Sequence, residues 1–265
     1  MSRLPLIIGH RGSSALAPEN TLAAFRHSIA DGADGIEFDV RLSRDGVAVV
    51  IHDATMERTG LLKRKVSQLS AADIQATDVG SWFHKSRLRH RSPGDGEFAG
   101  ETVPLLNQVF PLFERNKGRL YLEMKADAGA GAELAAEVVR SIHQASFRER
   151  VVVECFDLSL IKKVKTIDYT IRTAALFERR LSRPATVFRP HLVEMAQEAG
   201  ADEIALHHSL AGRRVVEQAL RSNQQVVVWT VDNPRWVTKA QALGVAALIT
   251  NNPSVLIAAR DSAGV

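Results

Sequence analysis

Apolar residues are grouped along nearly the whole chain into short runs rich in Val, Ile and Leu. These alternate with longer stretches in which apolar positions recur every three or four residues. The first pattern predicts buried strands and the second amphipathic helices. A strand at residues 6–8 precedes a helix predicted over 18–31, where Leu22, Phe25 and Ile29 share a face and Gly32 ends the pattern. The next strand, around Gly35 to Val40, meets the turn Ser43-Arg44-Asp45-Gly46 and returns through 47–51, the spacing of an antiparallel hairpin. From residue 105 the alternation is regular. Helices over 105–116, 131–144, 159–166, 192–199, 213–222 and 234–243 lead into strands over 120–124, 151–156, 170–176, 203–206, 225–230 and 246–249. With the first two strands this makes eight, each reached through helical material, which predicts an α/β protein with a TIM (β/α)8 barrel. A doubly wound sheet is the alternative, but Gly9-His10-Arg11-Gly12 lacks the Gly-x-Gly-x-x-Gly phosphate turn.

One stretch breaks the alternation. Residues 54–103 carry Gly60, the basic run Lys63-Arg64-Lys65, a short helical pattern over 71–76, Gly80-Ser81-Trp82-Phe83 and a polar loop to Gly100. A segment of this length without a core of its own reads as an insertion on the rim, after the second-strand hairpin, of a single domain spanning residues 1–265. Its basic residues read as solvated surface.

The candidate chemistry lies at strand ends, where active sites of such barrels sit. Glu37 and Asp39 are two apart on one strand and so share a face. Burying two like charges is costly, and a hard divalent cation such as Mg²⁺ or Ca²⁺ would remove the cost. A solvated edge strand with salt bridges is the alternative. Counting outward from the turn brings His52 level with Phe38 and Asp39, while His10 and Arg11 follow the first strand between Gly9 and Gly12. Two histidines beside paired carboxylates and an arginine suit general acid and base work. Glu123, Lys125, Phe156, Trp229 and Asn251 also fall at or just past predicted strand ends. Glu19 reads as a favourable acid in the first helical turn, close enough to Arg11 to hold it.

The runs Gly9-His10-Arg11-Gly12, Pro18-Glu19-Asn20-Thr21, Glu37-x-Asp39, His52-Asp53 and Tyr121-Leu122-Glu123-Met124-Lys125, with Phe156-Asp157 and Trp229-Thr230-Val231-Asp232, resemble the glycerophosphodiester phosphodiesterase family. The matches run in order over almost the whole chain. The resemblance implies a metal-dependent phosphoric diester hydrolase that releases glycerol 3-phosphate and an alcohol from a small glycerophosphodiester. One divalent ion, Mg²⁺ or Ca²⁺, would be held by Glu37, Asp39 and Glu123, with Arg11 and Lys125 on the phosphate. His10 would be the base and His52 the acid, with Glu19, Phe156 and Trp229 supporting or contacting substrate. The small insertion also has a counterpart in that family, and 87–91 reads as extra loop. Two positions depart from the family pattern: Asp232 stands where Asn is usual and Asn251 where Asp is usual. Both read as rim positions bearing on substrate preference. A lysophospholipid-directed phosphodiesterase is an alternative and would need an apolar collar, for which Trp82-Phe83 is the candidate. A non-catalytic phosphoester-binding barrel is another, disfavoured because every matched catalytic position holds the expected residue type.

Composition changes little. Of 265 residues 45% are hydrophobic and 24% charged, ordinary for a globular protein, and a net charge of +4 at this size gives no nucleic-acid-binding stripe. The single cysteine, Cys155, excludes an internal disulfide and, beside Phe156, is expected to face away from the pocket into packing. The N-terminus enters the first strand at once and no apolar run approaches membrane-spanning length, so the expectation is a cytoplasmic protein without membrane insertion. His207 and His208 close a strand but receive no role.

Overall fold

A computed structural model describes residues 4–83, 97–114, 117–179 and 191–263. Eight parallel strands close into a barrel: β1 (Leu6–His10), β2 (Gly35–Leu42), β4 (Arg119–Met124), β5 (Val151–Cys155), β6 (Arg172–Phe177), β7 (Glu203–His207), β8 (Gln225–Trp229) and β9 (Ala247–Thr250). Pairing of β1 with both β9 and β2 completes the ring. The remaining strand, β3 (Ala48–Val50), runs antiparallel to β2 with Val40 opposite Val50. Extending that register sets residue 52 across from residue 38, the placement expected from the turn.

Strand alternation divides the core in two. Ile36, Phe38 and Val40 of β2, with Leu120 and Leu122 of β4, pack outward against helices such as Gly131–His143 and Leu158–Ile167. Ile8, Tyr121, Val152, Ala174, Ala205, Val227 and Ala247 fill the barrel interior. At the N-terminal end of the barrel the Tyr121 hydroxyl, fully buried, donates to Glu203 Oε2 at 2.9 Å, and Arg172 and Arg119 reach Glu203 Oε1 at 2.8 and 3.2 Å. This closes the end opposite the candidate site. Tyr121→Phe should therefore cost about 2 kcal/mol of stability by removing a hydrogen bond to a charged acceptor, read as a lower urea midpoint. Turnover should be unchanged, because that end carries stability and not chemistry.

Three expected elements differ. The helix predicted over 18–31 is Leu22–Ala30, capped by Thr21, whose Oγ1 accepts from Ala24 N at 3.2 Å. Asn20 before it has φ +58°, so Glu19 lies in a turn and not in the first helical turn. The helix expected over 105–116 is one α turn, Leu106–Val109, followed by a 3-10 turn, Phe110–Phe113. Pro111 lacks the N–H that would continue the α pattern. The segment after β3 is not coreless either: Met56, Val66, Leu69, Ile74 and Val79 bury against Val49 and Ile51 of the hairpin. The expected extra loop, 87–91, lies outside the described residues.

Candidate active site

The C-terminal ends of β1, β2, β4, β5 and β8 and the residues that follow β3 line a cavity of about 430 Å³ that includes His10, Arg11, Glu37, His52, Glu123, Lys125, Phe156 and Trp229. β1 ends in a tight turn in which Arg11 adopts φ +52° and Gly12 φ +81°. A Cβ at Gly12 would stand 2.6 Å from the Ala24 backbone, so only glycine fits there. The turn directs the Arg11 amide to Glu37 Oε2 at 3.0 Å. The Arg11 guanidinium reaches Glu19 Oε1 at 2.7 Å and lies 3.1 Å from Asp39 Oδ2. Asn20, in its left-handed conformation, grips Asp39 twice: Nδ2 donates to Oδ2 at 2.8 Å and Oδ1 accepts the Asp39 amide at 3.2 Å.

Glu37, Asp39 and Glu123 are all buried and present carboxylate oxygens within 4.8 Å of one another. Burial, and then the charge of Asp39, raise Glu37 well above the usual carboxylate range and bring Glu123 to about 7. Burial opposes the charge of Asp39 as well, but Arg11 and Lys125 outweigh it and hold that carboxyl low. Lys125 Nζ lies 2.7 Å from Glu123 Oε1 and 3.3 Å from Asp39 Oδ1. Asp39 Oδ1 is nonetheless buried with no hydrogen-bond partner. A cluster of oxygen donors with mutual repulsion and an inner oxygen that no hydrogen bond satisfies fits a hard divalent cation.

The two histidines are held differently. His10 Nδ1 contacts Asn251 Oδ1 at 2.7 Å. Asn251 Nδ2 donates to Asp232 Oδ2 at 2.7 Å, and Asp232 Oδ1 accepts from Asn251 N and from Thr250 Oγ1. This arrangement fixes the Asn251 amide so that its oxygen faces His10 and the His10 proton lies on Nδ1, leaving the Nε2 lone pair free. Burial and the neighbouring Arg11 depress His10 to about 4, so its imidazole is neutral at physiological pH. His52 pairs through Nδ1 with Asp53 Oδ1 at 2.6 Å. Burial lowers its pKa while Asp39 and Asp53 oppose the shift. Asn251 and Asp232 are thus not merely rim positions, as their sequence context implied. They form the hydrogen-bonded support of His10.

Phe156 and Trp229 meet edge to face at 5.5 Å, and Lys125 Nζ lies 5.7 Å from the Phe156 ring centroid. The Trp229 indole N–H is buried without a protein partner. Cys155 is buried in the core outside the strands, as expected, but it also borders the cavity; it donates to the Met124 carbonyl and is pushed to about 12 by burial, so it is an inert thiol there. The rings of His207 and His208 meet at 4.1 Å, tilted by 46°, with His207 edge-on to Trp229, and both are absent from the cavity lining.

Sequence reasoning passed over three participants. Glu154 lines the cavity at 1% exposure, sits beside Glu123 in register, and has an oxygen, Oε2, without a partner. Its place two residues after Val152, an inward position, was a readable signal. Arg41 spans the hairpin, donating from Nε to the His52 carbonyl at 2.8 Å and from Nη1 to Asp127 at 3.0 Å. Arg58 joins Glu19 to Asp53. The Arg58–Asp53 pair is five residues apart, but the partners that tie the arginines into the site, Glu19 for Arg58 and Asp127 for Arg41, are set by tertiary contact.

The comparisons with known proteins agree with this geometry. Residues 10–255 match the model of the glycerophosphoryl diester phosphodiesterase family. A glycerophosphodiester phosphodiesterase of Caldanaerobacter subterraneus subsp. tengcongensis is 30% identical over 252 residues, covering 95% of this chain and 96% of that protein. One from Bacillus altitudinis is 26% identical over 260 residues, covering 96% and 98%. The fold is shared with an Oleispira antarctica phosphodiesterase solved with its product sn-glycerol-3-phosphate, at a TM-score of 0.83 and 24% identity, covering 97% of each chain. By the family match and the similarity to the Caldanaerobacter protein over nearly the full length of both, the chain belongs to the glycerophosphoryl diester phosphodiesterase family.

Proposed function

We propose that this protein hydrolyses glycerophosphodiesters to glycerol 3-phosphate and a free alcohol, using one divalent cation, Mg²⁺ or Ca²⁺, held by Glu37, Asp39 and Glu123. The observation that carries the reading is the convergence of three buried carboxylates with Arg11, Lys125 and two histidines on one cavity. When bound, the cation supplies Lewis-acid polarisation and neutralises charge on the phosphoryl oxygens. Arg11 and Lys125 add hydrogen-bond donors and positive charge on the same oxygens, arginine as a planar fork and lysine as a point contact. His10, neutral and with its Nε2 lone pair free, takes the proton of the nucleophile, a glycerol hydroxyl or water. His52, held by Asp53, gives a proton to the departing alcohol. The negative charge of the substrate favours the imidazolium form that this step needs. Phe156 and Trp229 wall the cavity, and the unpaired Trp229 N–H offers a donor to a substrate oxygen.

The lysophospholipid alternative loses its collar. Phe83 is buried, and Trp82 is partly buried, with the Arg58 guanidinium 5.7 Å from its ring. Among the described residues, no helix is long and apolar enough to cross a membrane.

EDTA treatment should abolish turnover of glycerophosphocholine while leaving the far-UV circular dichroism unchanged, because the barrel core does not depend on the three carboxylates. Mg²⁺ or Ca²⁺ should restore activity. Full turnover in the metal-free protein would remove the central claim.

A further inference from the structure

The short helix Glu57–Gly60, just after the hairpin, brings a cation to the site that has no part in the chemistry proposed above. The Arg58 guanidinium is held on both sides. Nε donates to Asp53 Oδ2 at 2.7 Å and Nη2 to Asp53 Oδ1 at 3.2 Å. Nη1 donates to Glu19 Oε2 and Nη2 to Glu19 Oε1, each at 2.7 Å. The same two carboxylates hold the groups assigned to phosphate and proton transfer: Glu19 Oε1 also accepts from Arg11 Nη1 at 2.7 Å, and Asp53 Oδ1 also meets His52 Nδ1 at 2.6 Å.

We propose that Arg58 is a positioning residue that couples Arg11, through Glu19, to His52, through Asp53. The proposal rests on the roles given to Arg11 and His52 in the preceding reading. Two bidentate contacts from one planar guanidinium fix the planes of both carboxylates, which an isolated ion pair leaves free to turn. The charges matter as much. Arg11 is shared between Glu19 and Asp39, and Arg58 brings a second cation to Glu19 while also pairing with Asp53, so less of the Arg11 charge is taken up by Glu19. Without Arg58, Arg11 alone would face Glu19 as well as Asp39, weakening its pull on an anion. Asp53, with two of its three side-chain contacts gone, would be free to leave His52 Nδ1, and the imidazole would lose the partner that fixes its tautomer and orientation.

A purely structural Arg58 would only tie the segment after β3 to the barrel, lowering thermal stability without changing the character of catalysis. Kinetics on two glycerophosphodiesters, one with an alkyl and one with a nitrophenyl leaving group, separate the two cases. Arg58→Met should lower kcat on the alkyl ester by roughly 10- to 100-fold and on the nitrophenyl ester much less, since a good leaving group needs little help from an acid. Its affinity for inorganic phosphate in Mg²⁺, measured by calorimetry, should fall about as far as in Glu19→Gln, and the double variant should be no worse than either. Arg58→Lys restores the charge but not the paired bidentate contacts. It should regain part of the phosphate affinity and keep the leaving-group-dependent loss, and it carries the test if Arg58→Met does not fold. Equal losses on the two esters, or phosphate affinity unchanged in Arg58→Met, would overturn the proposal. If the wild-type protein cleaved neither ester, the proposed function would fall, and the phosphate titration alone would decide the coupling on the Arg11 side.

Discussion

Glu123→Gln should weaken binding of Mg²⁺ and Ca²⁺ by well over tenfold, whereas Lys125→Met should bind both ions as well as or better than the native protein, although each substitution nearly abolishes hydrolysis. The two residues are two apart on β4 and face the same way into the mouth. Their side chains are in contact, with Lys125 Nζ 2.7 Å from Glu123 Oε1 and 3.3 Å from Asp39 Oδ1. An entering divalent ion shares those oxygens with the ammonium, and two positive charges beside the same carboxylates repel. Removing the lysine therefore frees ligand oxygens for the ion and takes away its competitor, but it also removes a donor for the phosphate. Removing the charge of Glu123 takes away one of the three proposed ligands. Calorimetric titration of both variants decides the matter: if Lys125→Met loses metal as completely as Glu123→Gln, the pair is one structural ion pair and the division of labour is wrong.

His10→Ala and His52→Ala should each lower turnover by roughly 10²- to 10⁴-fold, the scale of a positioned base or acid. The leaving group should tell them apart. A nitrophenyl ester should partly rescue His52→Ala, whose missing proton the alcohol no longer needs, and should leave His10→Ala impaired. The environments support this order. His10 is buried, has a neutral amide on Nδ1 and is depressed to about 4, which keeps the imidazole unprotonated and able to accept a proton. His52 is one-third exposed and has a carboxylate on Nδ1, which opposes the lowering caused by burial, Arg11 and Lys125 and keeps the protonated form nearer to hand than at His10. Rescue of His10→Ala by the good leaving group would reverse the assignment.

What was legible in the sequence follows from how far each signal reaches along the chain. Strand and helix periods are local, so the eight barrel strands, the hairpin register and the shared face of Glu37 and Asp39 could all be read from neighbours. The apolar period predicts a helix over 105–116, but Pro111 cannot donate the N–H that would continue it past the first turn. Glu19 was assigned to a helical turn because the left-handed Asn20 beside it has no signature in composition. The supports of the site were the least visible. Asn251 lies 241 positions from His10, and Arg58 39 from Glu19, so neither pairing leaves a trace until the barrel closes. Glu154 is different: the alternation that revealed Glu37 and Asp39 was present in Val151–Cys155 as well.

The Asp232–Asn251 contact constrains how these two positions can change. One acid and one amide share a hydrogen bond of 2.7 Å, the reverse of the order usual in the family. Converting Asn251 alone to the acid would set two carboxylates against each other and force one to hold a proton. Converting Asp232 alone to the amide would remove the acceptor that fixes which end of Asn251 faces His10. Each single step is penalised by the state of the other site, while the double exchange restores a matched pair. The two substitutions are therefore expected to be non-additive, the double exchange Asp232→Asn with Asn251→Asp costing less turnover than the two single variants together.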